Sequence, residues 1–203
     1  MRFVPCLALL LGLLLPRPAA AEDPVWREAL WLQPPGADAP FPVLLALPLG
    51  WQPGDAAVVL LPDPEAPVPL RYRAIQALLA AEALVVELDT LAAGAEIPGV
   101  PPYPPLSPAA QPAALRDALL RLRTEIGAGL LVVLGFGQAG PVALEVAAEP
   151  GVAAAIALGD QPRYLAGAPP PPAEHWPLRA GLLCAALAGA GATPGDCRAG
   201  LLP

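Results

Sequence analysis

Lysine is absent from this chain, and all 11 basic residues are arginines. Charged residues of every kind fill only 14% of 203 positions, and the arginines form no cluster. Without a basic patch there is no electrostatic footprint for a phosphate backbone or an anionic bilayer. This argues against nucleic-acid partners and against adhesion to anionic membranes. Serine and histidine occur once each, as Ser107 and His175. The cysteines are Cys6, Cys184 and Cys197, with no CxxC pair. One histidine without such a pair does not assemble a transition-metal site, so no metal is expected.

What is present is apolar. Hydrophobic residues make up 56%, which excludes a disordered chain despite 31 prolines. The prolines cluster between apolar segments without a repeat, so collagen and polyproline rods are excluded too. Arg2, the nine-residue apolar run Leu7–Leu15, and Ala19-Ala20-Ala21 before Glu22 have the layout of a secretory signal. The run is too short to span a bilayer, which takes about 20 apolar residues. Residues 1–21 are thus expected to be removed, giving a periplasmic or secreted chain with no membrane span and one domain over 22–203. That chain has nine arginines against 18 acids. Cys184 and Cys197 then remain, either bridged or with Cys184 buried and Cys197 free.

The pattern along the chain predicts strands at 25–33 and 41–48, joined as a hairpin. Buried strands follow at 56–61, 84–88, 130–134, 152–158 and 182–188, each a continuous apolar run. Helices are predicted at 71–82, with Tyr72, Ile75, Leu79 and Ala83 on the buried face, at 112–126, and at 141–149. Residues 92–111 read as a Pro/Gly-rich loop, and 167–177 as a second. Trp26, Trp31, Trp51 and Trp176 read as core or rim aromatics. Apolar strands alternating with helices imply a mostly parallel sheet covered on both faces, preceded by the hairpin.

Gly135-Phe136-Gly137-Gln138-Ala139-Gly140 links the strand at 130–134 to the next helix. It matches GxGxxG, with Asp160 about 20 residues on, which is a dinucleotide-binding pattern. That fingerprint normally sits at the first strand–helix unit, and here it comes after two, so no cofactor is expected. The segment LLVVLGFGQAGPVAL, with FPVLLALP, AAVVLL and LPDPEAP before it, resembles the α/β-hydrolase superfamily, in its dienelactone-hydrolase-like branch. The resemblance spans roughly residues 25–190 and rests on order and pattern. It implies an α/β-hydrolase-like sheet with a nucleophile elbow at Gly137, the position of the family's serine or cysteine. It also implies an oxyanion donor at the N–H of Gln138. Asp63 then stands near the acid that holds the nucleophile in dienelactone hydrolases. The family's histidine follows one strand more than this chain contains, so the domain is expected to be truncated at its C-terminal end.

Gly137 has no side chain to attack with, and Pro62 and Pro64 have no N–H to donate. The degenerate elbow implies a binding protein for a small molecule or another protein. The alternative is a carboxylic-ester or lactone hydrolase with a non-standard nucleophile. Ser107, His175 and Asp160 are its candidates by composition alone. Asp89 and Asp160 both end strands, where they cap a following turn or helix or form an acid–base pair.

Overall fold

The computed structural model describes residues 25–66, 68–146, 149–158 and 163–166. The expected signal at 1–21, Asp160, His175, Cys184, Cys197, Trp176 and the strand at 182–188 lie outside them.

The strands are β1 (Val25–Leu32), β2 (Phe41–Pro48), β3 (Ala56–Leu61), β4 (Leu84–Glu87), β5 (Leu130–Phe136), β6 (Val152–Leu158) and β7 (Arg163–Ala166). The helices are α1 (Val68–Ala80), α2 (Thr90–Glu96), α3 (Gln111–Arg121) and α4 (Gly140–Val146). All seven strands join one sheet in the order β1-β2-β4-β3-β5-β6-β7. β4, β3, β5 and β6 are parallel; β1 and β2 form an antiparallel hairpin, and β7 returns antiparallel to β6.

Period-two alternation divides each central strand between two cores. Ala57, Val59 and Leu61 of β3 meet Leu115, Ala118 and Leu122 on one face. Val58 and Leu60 meet Ala74 and Leu78 of α1 on the other. Because both faces are covered, β3 and β5 are buried along their whole length, which is why they read as unbroken apolar runs. The fold class is therefore α/β, a mostly parallel sheet with helices on both faces and an N-terminal hairpin.

Three local readings change. Residues 90–96 form α2, which takes up the first five residues of the loop expected at 92–111. The Asp89 side chain starts this helix by accepting from the N–H groups of Leu91 and Ala92, at 3.0 and 3.1 Å. The buried face of α1 is Ala74, Leu78 and Leu79, while Tyr72 is 57% exposed. Trp26 and Trp31 are surface residues, 62% and 41% exposed. α3 begins with Pro112 in its first turn and runs through a π-helical turn, Leu122–Ile126, to Gly127.

Candidate functional site

The sheet order places a site before any side chain is considered. β3 lies between β4 and β5, so the chain leaves β3 to one side and later returns on the other. In parallel α/β sheets the carboxyl ends of the strands at such a switch point are the usual place for a ligand. Leu61 of β3 is in register with Gly135 of β5. Asp63 and Gly137, each two residues further on, therefore leave the sheet side by side.

The turn after β5 is tight. Gly137–Ala139 is one turn of 3-10 helix, and α4 starts at once. Gly137 has φ +46°, a left-handed backbone that a side chain disfavours by about 1–2 kcal/mol. A strand, a sharp turn with a left-handed glycine and a helix thus follow one another at the switch point. Gly140 is needed for a different reason. A Cβ there would come within 2.7 Å of the Ala157 Cβ, so glycine lets α4 approach β6 closely.

Asp63 fills the elbow. Its Oδ2 accepts from the Gln138 N–H at 2.8 Å, and its Oδ1 accepts from the Glu65 N–H at 2.9 Å. A Cβ built on Gly137 would overlap Asp63 Oδ2. The carboxylate thus occupies the space that a side chain at Gly137 would enter, and it holds the Gln138 N–H. Gln138 Nε2 donates to Glu65 Oε2 at 3.2 Å and closes the circuit. An incoming pyrophosphate would meet a carboxylate already seated over the glycines, so the space that a dinucleotide needs at Gly137 is taken.

Of the residues singled out in the sequence, the structure brings Asp63, Gly137 and Gln138 together. Ser107 lies in the turn that opens α3, where its carbonyl accepts from Ala110 and Gln111. Asp89 is a helix cap. The pairing of Asp89 with Asp160, and any contact of His175, fall outside the described residues.

The sequence reading missed a second cluster at the same sheet edge. Glu87, the last residue of β4, is 5% exposed. The Arg71 guanidinium of α1 reaches it at 2.6 Å and also reaches Asp89 at 2.8 Å. Burial pushes the Glu87 carboxyl above its usual range, and Arg71 pulls it partly back. The available signal was a lone acid in LVVEL, because a carboxylate in an apolar strand requires a partner. Such a shift carries a sign. A folded-state value above the unfolded one means stability that is complete below the ordinary glutamate range and lost as pH rises through the raised value. Glu87→Gln should therefore gain on the wild type, in relative melting temperature, as pH rises from acid toward neutrality. A difference that stays flat with pH contradicts the raised value.

A concavity of about 200 Å³ lies at the opposite edge of the sheet, by the starts of β5 and β6. Leu119, Leu131 and Val152 line it, with Arg116, Arg123 and Glu149 among the polar residues. It is separate from the elbow.

No protein-family model matches the chain, and no curated protein does. Several solved esterases are similar in structure. The esterase domain of a Rhodothermus marinus protein is 20% identical, with TM-score 0.45 over 65% of this chain and 49% of that one. An esterase of Pyrococcus furiosus is 9% identical, with TM-score 0.47 over 64% and 49%. A cold-adapted esterase from an Arctic intertidal metagenomic library is 16% identical, with TM-score 0.48 over 66% and 60%. The chain spans about half the length of the first two.

Proposed function

We propose that this chain is an exported, non-catalytic binding protein built on an α/β-hydrolase-like fold, with its nucleophile elbow occupied by its own Asp63. One observation carries the reading: the Asp63 carboxylate lies on the Gln138 N–H, in the space of the missing nucleophile. The Glu65 N–H is spent on the same carboxylate. A developing oxyanion at this position would face an anion instead of a donor. Losing a single oxyanion donor typically costs ~10²–10³ in rate. Here the donor and the nucleophile are both withdrawn.

The test is hydrolysis of activated aryl esters and of a dienelactone. Turnover by the wild type should not exceed that of buffer. Turnover that disappears in His175→Ala overturns the reading.

The position of Asp63 also gives the hydrolase alternative a specific form. If the chain turns over esters or lactones with a non-standard nucleophile, Asp63 is the group in place, and Asp63→Asn abolishes turnover.

Export rests on the N-terminal pattern. Mass spectrometry of protein from the native envelope should find a chain beginning at Glu22, with Cys184 bridged to Cys197. Intact residues 1–21 on most molecules contradict export. Two free thiols on the untreated, unfolded chain contradict the bridge.

A further inference from the structure

The first strand of the sheet is an open edge. β1 bonds to β2 along its inner side, over all eight residues, and its outer side meets no strand among the described residues. β1 lacks two of the usual safeguards of an edge: its register with β2 is unbroken by any bulge, and it contains no proline. Its two charges are adjacent and opposite, Arg27 and Glu28. Trp26 and Trp31 stand exposed near its two ends. Arg27 is held by Glu96 at 3.2 Å, and Trp31 lies edge-on to Tyr103 at 6.2 Å. The side chains of this edge are thus already positioned.

We propose that β1 pairs antiparallel with β1 of a second copy, in the register that sets Ala29 opposite itself. The choice of partner and register follows from symmetry and charge. A two-fold axis through the sheet brings like faces together, so directly opposed residues have the same parity and the pairing must centre on one residue. For the eight residues of β1, only centres at Glu28 and Ala29 give seven opposed pairs. Centring on Glu28 sets two carboxylates against each other, which is unfavourable. Centring on Ala29 opposes no like charges. Arg27 then faces the partner's Trp31, a cation–aromatic pair made twice by symmetry. Glu28 faces the partner's Leu30, and Trp26 faces the partner's Leu32. A second copy therefore satisfies this edge without a charge conflict, and one sheet runs through both molecules.

The test uses full-length protein with Cys6→Ser, Cys184→Ser and Cys197→Ser, so that an added thiol is the only one. Opposed residues of an antiparallel pair have Cα atoms about 4.5–5.5 Å apart, within disulfide range. Mild oxidation should therefore cross-link Ala29→Cys into a covalent dimer, and should leave Arg27→Cys and Glu28→Cys largely monomeric. Light scattering at hundreds of micromolar should show a reversible dimer in the wild type. Ala29→Lys, which sets like charges at the centre, should raise its Kd about tenfold. Far-ultraviolet circular dichroism must show each variant folded. A folded Ala29→Cys that stays monomeric overturns the proposal, whether the edge is open or covered by residues 1–24 or 167–203. Cross-linking stronger at position 27 or 28 overturns the register.

Discussion

Gly137→Ser is expected to destabilise the fold and to gain no esterase activity. The φ of +46° disfavours a side chain by about 1–2 kcal/mol. The new Cβ also overlaps Asp63 Oδ2, so the carboxylate must leave its bonds to Gln138 and Glu65. Bonds to a charged group are worth about 1.5–3 kcal/mol, although solvent at this exposed turn reduces that share. A total loss of about 2–4 kcal/mol is expected, read by urea unfolding. Adding Asp63→Ala removes the overlap, so the double variant should be more stable than Gly137→Ser alone. Neither should hydrolyse an activated ester above buffer, because a serine hydroxyl is a weak nucleophile until a base takes its proton. Ester turnover by Gly137→Ser that is lost again with His175→Ala would show that a base stands ready, contrary to the proposed function.

Arg71→Ala is expected to destabilise the fold through its buried partner. Removing one partner of a buried ion pair typically costs 3–5 kcal/mol, because the other charge is left without compensation. The Arg71 side chain is 27% exposed, so solvent screening brings the expected loss below that range, to about 2–3 kcal/mol. For a chain of this length that corresponds to a fall of roughly 5–10 °C in melting temperature. Asp89 loses a partner as well, but its role as the cap of α2 does not depend on Arg71. Arg71→Ala combined with Glu87→Leu should recover most of the loss, since no buried carboxylate remains. A loss below about 0.5 kcal/mol in the single variant, or no recovery in the double, contradicts a pair that supports the sheet edge.

The parallel core was legible because burial on both faces leaves few options for residue type. Ala56–Leu61 and Leu130–Phe136 are apolar at every position; the reading finds the first whole and the second as 130–134, with its last two residues assigned to the turn. α2 was not legible. Its sequence, TLAAGAE, offers little apolar periodicity, and the prolines that follow suggested a loop. The usable signal was Asp89, which was read as a possible cap without the helix it caps. Of the face predicted for α1, Leu79 and Ala83 are buried and Ile75 packs on the core, but Tyr72 is exposed, because apolar volume alone does not mark a buried stripe. Arg71, Ala74 and Leu78 fall on one stripe at helical spacing, and the arginine lies there to meet Glu87. A charge on the buried stripe of one element and an acid in the apolar run of the next are each anomalous alone. Together they are a pair. β7, RYLA, is too short to carry a period. At the turn after β5, the glycines were readable from residue types. The closure by Asp63 was not, because it depends on Leu61 and Gly135 sharing a register across 74 positions of sequence.

The most direct measurement of that closure is the Gln138 backbone amide in nitrogen–proton correlation spectra of the wild type and Asp63→Ala. A proton donated to a carboxylate at 2.8 Å is deshielded and protected from solvent exchange. In the wild type the Gln138 amide should lie downfield and exchange slowly for so exposed a turn. In Asp63→Ala it should move upfield and exchange faster, while the Val132 and Val133 amides of β5 stay unchanged. A Gln138 amide with the same shift and exchange rate in both proteins would mean that Asp63 does not occupy the elbow.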